Sequence, residues 1–93
     1  MLEVSMKAAT YVDEVRRRFE LPATAGLRVW MEQSPEAAVR VGLSEEPDVD
    51  DDVVEAFGAR VFVAGNLADA LDGHVLDVDV AAEPPHLVLR REE

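Results

Sequence analysis

The chain has 93 residues, 48% of them hydrophobic, which suits one domain with its own core and excludes an intrinsically disordered protein. Twenty acidic residues against nine basic ones give a net charge of −11, which repels phosphate backbones and anionic lipids and excludes nucleic acid and membrane surfaces as partners. There is no cysteine, so a disulfide frame, a thiolate metal site and a cysteine nucleophile are excluded as well. No apolar run approaches the roughly 20 residues of a membrane helix, and Glu3 and Lys7 interrupt any stretch of signal-peptide type. The default expectation is a cytoplasmic protein.

In chain order, Met1 to Val4 reads as a short edge strand, and Ser5 as the N-cap of a helix running from Met6 to about Glu20. Ala8, Val12, Val15 and Phe19 fall on one stripe of that helix. Asp13 with Arg17, and Glu14 with Arg18, are pairs four residues apart in the favourable order. Arg16, Arg17 and Arg18 sit near the C-terminus of the helix, where cations suit the macrodipole. Pro22 ends the helix, and a loop runs to Gly26. Leu27, Val29 and Met31 alternate with Arg28, Trp30 and Glu32, a strand pattern. Trp30 then lies on the face of the charged residues. Two readings stand: the indole is covered by an arginine stem or a second layer, or it anchors a subunit contact, where aromatics are enriched.

Gln33 to Glu36 reads as a turn, and Ala37, Val39, Val41 and Leu43 as the alternating face of the next strand, with Arg40 opposite. So short a link demands an antiparallel hairpin. Ser44 to Asp52 is an acidic loop, Val53 to Phe57 a strand, and Gly58 a turn. Arg60 to Ala64 is a β-branched and aromatic strand run. Gly65 breaks it, Asn66 takes the N-cap place of a short helix, and Leu67, Ala70 and Leu71 form that helix's apolar face. Gly73 suits a left-handed exit. Leu76, Val78 and Val80 alternate with Asp77 and Asp79, a half-wet strand. Ala81 to Pro85 is loop, Leu87 to Leu89 a last short strand, and Arg90 to Glu93 a frayed tail.

The order Val53-Val54-Glu55, Gly58, Val61-Phe62-Val63, Leu71-Asp72-Gly73, Leu76-Asp77 resembles the second half of the HesB/IscA family, the A-type carriers of iron–sulfur cluster assembly. Leu2-Glu3-Val4-Ser5, Ala8-Ala9 and Gly26-Leu27-Arg28-Val29 match that family's opening strand, first helix and second strand, so the resemblance spans nearly the whole chain. It implies a HesB-like α+β fold: a β-rich body of about seven short strands, mixed or antiparallel, with one long N-terminal helix and one short internal helix. It also implies self-association, with a homodimer expected and Trp30 as the anchor.

The family's chemistry rests on three cysteines, one in the loop after the second strand and two in a Cys-Gly-Cys tail. Thiolates suit iron–sulfur clusters because sulfur donates strongly to iron. Here the loop is Gln33-Ser34-Pro35-Glu36, the chain stops at Glu93, and no position carries a ligand over. Ser34 and Glu36 offer only hard oxygen donors. No cluster ligands and no cofactor are therefore expected.

Other chemistries are weaker still. Counted from Asp48 as a calcium loop, the sixth and twelfth places hold Val53 and Ala59, not the required Gly and Glu. His74 and His86, with Asp50 and Asp52, offer imidazole and carboxylate donors for a hard metal, but their spacing specifies no site. Ser5, Ser34 and Ser44 lie in cap or turn contexts without the strained nucleophile turn, so no catalytic residues are assigned. The leading expectation is a non-catalytic HesB/IscA-like protein without cluster ligation, accessory to iron–sulfur metabolism through protein contacts. The alternative is a metal-binding module using carboxylates and histidines.

Overall fold

The computed structural model describes residues 1–32 and 38–91. Among these residues the elements are β1 (Glu3–Val4), α1 (Met6–Arg18), β2 (Gly26–Glu32), β3 (Ala38–Ser44), β4 (Asp52–Ala56), β5 (Ala59–Val63), α2 (Gly65–Ala68), β6 (His74–Asp79) and β7 (His86–Arg91). The strands make two sheets, one in the order β1-β6-β7 and one in the order β3-β2-β5-β4. β1 runs parallel to β6 and β2 parallel to β5, while the other pairs are antiparallel. This is the mixed, β-rich α+β body that the sequence predicts.

α1 begins as expected. The Ser5 hydroxyl accepts the Ala8 N–H at 3.0 Å and donates to Asp77 Oδ1 at 2.8 Å, so the cap also ties the helix to β6. The helix ends earlier than the apolar stripe suggests. Its last residue is Arg18, and Phe19 is the cap residue, left 64% exposed. The Leu21 N–H bonds back to the Arg16 carbonyl and the Glu20 N–H to the Arg17 carbonyl, the two bonds of a Schellman turn, with Glu20 at φ 56°. The chain thus turns away two residues before Pro22. Asp13 bonds Arg16 at 2.6 Å and Arg17 at 3.1 Å, and the Arg16 guanidinium also donates to the Leu21 carbonyl. Among the described residues Glu14 makes no ion pair with Arg18.

β2 and β3 form the expected hairpin, Gly26 opposite Ser44 through Glu32 opposite Ala38. Its turn at 33–36 and Ala37 lie outside the described residues. Val39 and Val41, opposite Met31 and Val29 on the core-side face, are 40% and 47% exposed, and β3 is the outermost strand of its sheet. β4 and β5 are joined by a two-residue turn, Phe57 at φ 52° and Gly58 at φ 83°, the primed geometry that matches strand twist. Phe57 is therefore a turn residue, not the end of the strand.

α2 starts at Gly65 with Ala64 as its N-cap and no side-chain cap bond, so Asn66 is inside the helix rather than capping it. Leu67 and Leu71 are buried as predicted, while Ala70 faces solvent. Gly73 takes φ 77°, the left-handed exit that the Leu-Asp-Gly sequence requires. β7 reaches Arg91, so Arg90 and Arg91 belong to a strand and not to a tail, because they pair with Val75 and His74.

The core lies between α1 and the two sheets. It is built from Ala8, Ala9 and Val12 of α1, Leu27 and Val29 of β2, Val61 and Val63 of β5, Leu67, Leu71, and Leu76 and Val78 of β6. The two alanines let the helix lie close to the strands. Each buried Val or Leu contributes about 1.5–3 kcal/mol, and among the described residues no polar or charged residue is fully buried. Phe62 is also fully buried, but on the opposite face of its sheet, next to Arg28 and Val53 on the neighbouring strands.

Candidate functional site

The outer face of the four-stranded sheet carries the densest polar structure. Arg28, projecting from β2, forms a bidentate pair with Asp51: Nε donates to Oδ2 at 2.9 Å and Nη2 to Oδ1 at 3.1 Å. Nη2 also lies 3.1 Å from Asp48 Oδ2. The Asp51 side chain is 1% exposed, and its carboxylate also accepts the Asp48 N–H at 3.0 Å. The Arg28 hydrogen bond holds the Asp51 carboxyl below the usual range, and the same contact raises Arg28. Part of the acidic loop is thus clasped onto the sheet by one arginine. A polar cleft opens beside this clasp, lined by Arg28, Asp48, Asp50, Asp51, Gly65 and Asn66. The loop backbone presses close: a Cβ on Gly65 would stand 2.6 Å from the Asp50 carbonyl oxygen.

Trp30 lies two residues along the same face. It is half-buried, its ring edge resting where a Cβ on Gly42 would come within 3.3 Å, and the Arg28 guanidinium sits 5.8 Å from the ring centroid. The indole thus has an arginine of its own chain over one face and stays partly exposed. Arg40, opposite Trp30 on β3, pairs with Glu32 at 2.5 Å. Farther along, the Arg60 guanidinium lies 5.3 Å from the Phe62 ring centroid and donates to the Thr24 carbonyl at 2.7 Å.

The predicted hard-metal residues do not converge. His74 opens β6 opposite Arg91, and His86 opens β7 opposite Asp79, so they stand at opposite ends of one hairpin, about 16 Å apart along the strands. Asp50 lies exposed in the acidic loop, and Asp52 lies exposed at the start of β4, opposite Val63 in the other sheet. Among the described residues no three His, Asp or Glu side chains are placed to hold a metal ion. The physical reason is strand geometry. Residues close in sequence along an extended chain are carried apart, and Asp51, the best-oriented carboxylate of the run, is already occupied by Arg28.

The sequence reading did not single out an apolar groove of about 510 Å³ between α1 and the end of β6, lined by Met6, Tyr11, Val78, Val80 and Pro85 with Lys7 and Glu14 at its rim. Met6 and Val80, each 62% exposed, were the available signal.

No family model matches the chain, and neither does any curated protein. Solved structures do match. Escherichia coli SufA, involved in biosynthesis of iron–sulfur clusters, superposes with a TM-score of 0.79 at 23% identity over 97% of this chain and 79% of that one. IscA with the [2Fe-2S] cluster gives 0.77 at 19% identity over 98% of this chain and 85% of that one. The fold is therefore HesB/IscA-like. An iron–sulfur cluster does not fit the residues present: none of the 93 is a cysteine, and among the described residues no group of hard donors is placed to replace sulfur.

Proposed function

We propose that this chain is a non-catalytic protein of HesB/IscA-like fold that ligates no iron–sulfur cluster and acts through protein contacts as an accessory in cytoplasmic iron–sulfur metabolism. One observation carries the reading. The fold is shared with two structures whose names connect them to such clusters, yet the 93 residues contain no thiolate donor. Such clusters would be cargo for a carrier, and soft sulfur donors are what hold them against water. Without them the surface is left to bind proteins, another copy of the chain included.

Anaerobic incubation of the purified chain with ferrous iron and sulfide tests this. The expected result is no visible charge-transfer band and no iron or sulfide retained after gel filtration. A brown product with iron and sulfide in whole-number ratio to protein would overturn it.

A further inference from the structure

Among the described residues, each sheet edge is defended against pairing with another chain, except one. β1 is only two residues long. β4 carries Asp52 and Glu55 and follows the acidic loop, so a second copy there would meet its own negative charge. β7 carries His86, Arg90 and Arg91 and follows Pro84-Pro85. β3 is different. It has seven residues, Ala38-Val39-Arg40-Val41-Gly42-Leu43-Ser44, with continuous register against β2, no proline and no bulge. Its only charge, Arg40, is paired with Glu32 on β2. Val39 and Val41, on its core-side face, are 40% and 47% exposed. A long, regular, mostly apolar edge of this kind is a template for strand addition.

We infer that β3 pairs antiparallel with β3 of a second copy about a two-fold axis through Val41. The sequence selects both occupant and register. An antiparallel two-fold pairing sets residues of the same face against each other. Centred on Val41 it matches all seven residues, placing Val39 against the second copy's Leu43 and Arg40 against its Gly42. The apolar stripe then runs unbroken across the axis. On the other face the Arg40 stem meets the second copy's Gly42, where the edge of that copy's Trp30 ring rests. Centring on Arg40 instead would set like charges face to face and shorten the overlap. A single edge strand buries less than the roughly 1,200 Å² at which stable interfaces begin, so the dimer is weak and concentration-dependent.

This deepens the self-association within the proposed function and fails separately from it. The chain has no cysteine, so introduced ones report cleanly. Directly opposed residues have Cβ atoms about 5 Å apart, close enough for a disulfide after a small shift. Val39 would lie about 14 Å from its own copy. Under mild oxidation Val41→Cys is expected to cross-link to a covalent dimer at least tenfold faster than Val39→Cys or Leu43→Cys alone. A mixture of those last two should give the heterodimer. In sedimentation velocity up to about 1 mM, a range suited to weak association, the unmodified chain should shift toward dimer. Val41→Lys, with an unchanged circular dichroism spectrum, should remain monomeric. A dimer that forms without the Val41→Cys preference would overturn the edge pairing and leave self-association standing. A monomer throughout would overturn both.

Discussion

Two residues show what single positions contribute to this fold. Phe57 and Glu20 both occupy left-handed backbone, which costs a non-glycine residue about 1–2 kcal/mol. Neither is legible as such in the sequence, because neither is a turn former. The strand pairing on both sides of Phe57 and the two carbonyl bonds behind Glu20 impose the conformation. Gly58 and Gly73 were legible, since glycine after a strand or helix signals that geometry. Phe57→Asn places a residue suited to the primed turn, and Glu20→Gly removes both the strain and a negative charge at a helix C-terminus. Each is expected to stabilise the protein by about 1 kcal/mol, raising the melting temperature by about 4–8 °C in a domain of this size, measured by thermal denaturation.

Among the elements, β2 holds the larger sheet together, antiparallel to β3 on one side and parallel to β5 on the other. The hairpin with β3 was readable from alternation and a short link. The pairing with β5 was not, because a period of two says which face is dry and nothing about which strand lies beside it. Gly26 marks that hidden neighbour: a Cβ there would stand 2.3 Å from the Arg60 carbonyl oxygen, a backbone atom. Gly26→Ala should destabilise by about 3 kcal/mol, seen as a lower urea midpoint. Gly42→Ala meets only the movable edge of Trp30, so its cost should be under about 1.5 kcal/mol, with a shift in Trp30 fluorescence. The candidate site was legible in the same uneven way. The acidic loop and Trp30 stand out in the sequence, but the partner that ties them together, Arg28, is one charged residue in an alternating strand.

For the molecule as a whole, the net charge of −11 and the paired carboxylates oppose each other as pH falls. The Arg28 hydrogen bond lowers Asp51, and the Ser5 hydroxyl, followed by the Val78 N–H, lowers Asp77. Depressed carboxylates bind protons more readily when unfolded. Their contribution is complete above the unfolded value of about 4 and is lost as pH falls through the folded one. Relief of self-repulsion acts the other way between neutral pH and that value. Urea midpoints should therefore peak near about pH 5 and fall steeply below about pH 4. Asp51→Asn should lower stability at neutral pH by about 2 kcal/mol, since it leaves the guanidinium without its bidentate partner, and should flatten the acid limb.

The pairing of β1 with β6 sets Glu3 beside Val75 and Val4 beside Leu76. The second strand of that pair leaves the ribosome long after the first, and α1, which packs on β2 and β5 as well, lacks part of its platform until it does. A nascent chain therefore holds its opening segment unplaced through most of translation, with the valines and leucines of the middle already emerging. Contacts this distant in sequence slow folding and extend the exposure of apolar surface. Production of this protein should accordingly depend on how well the growing chain is shielded before its last hairpin arrives.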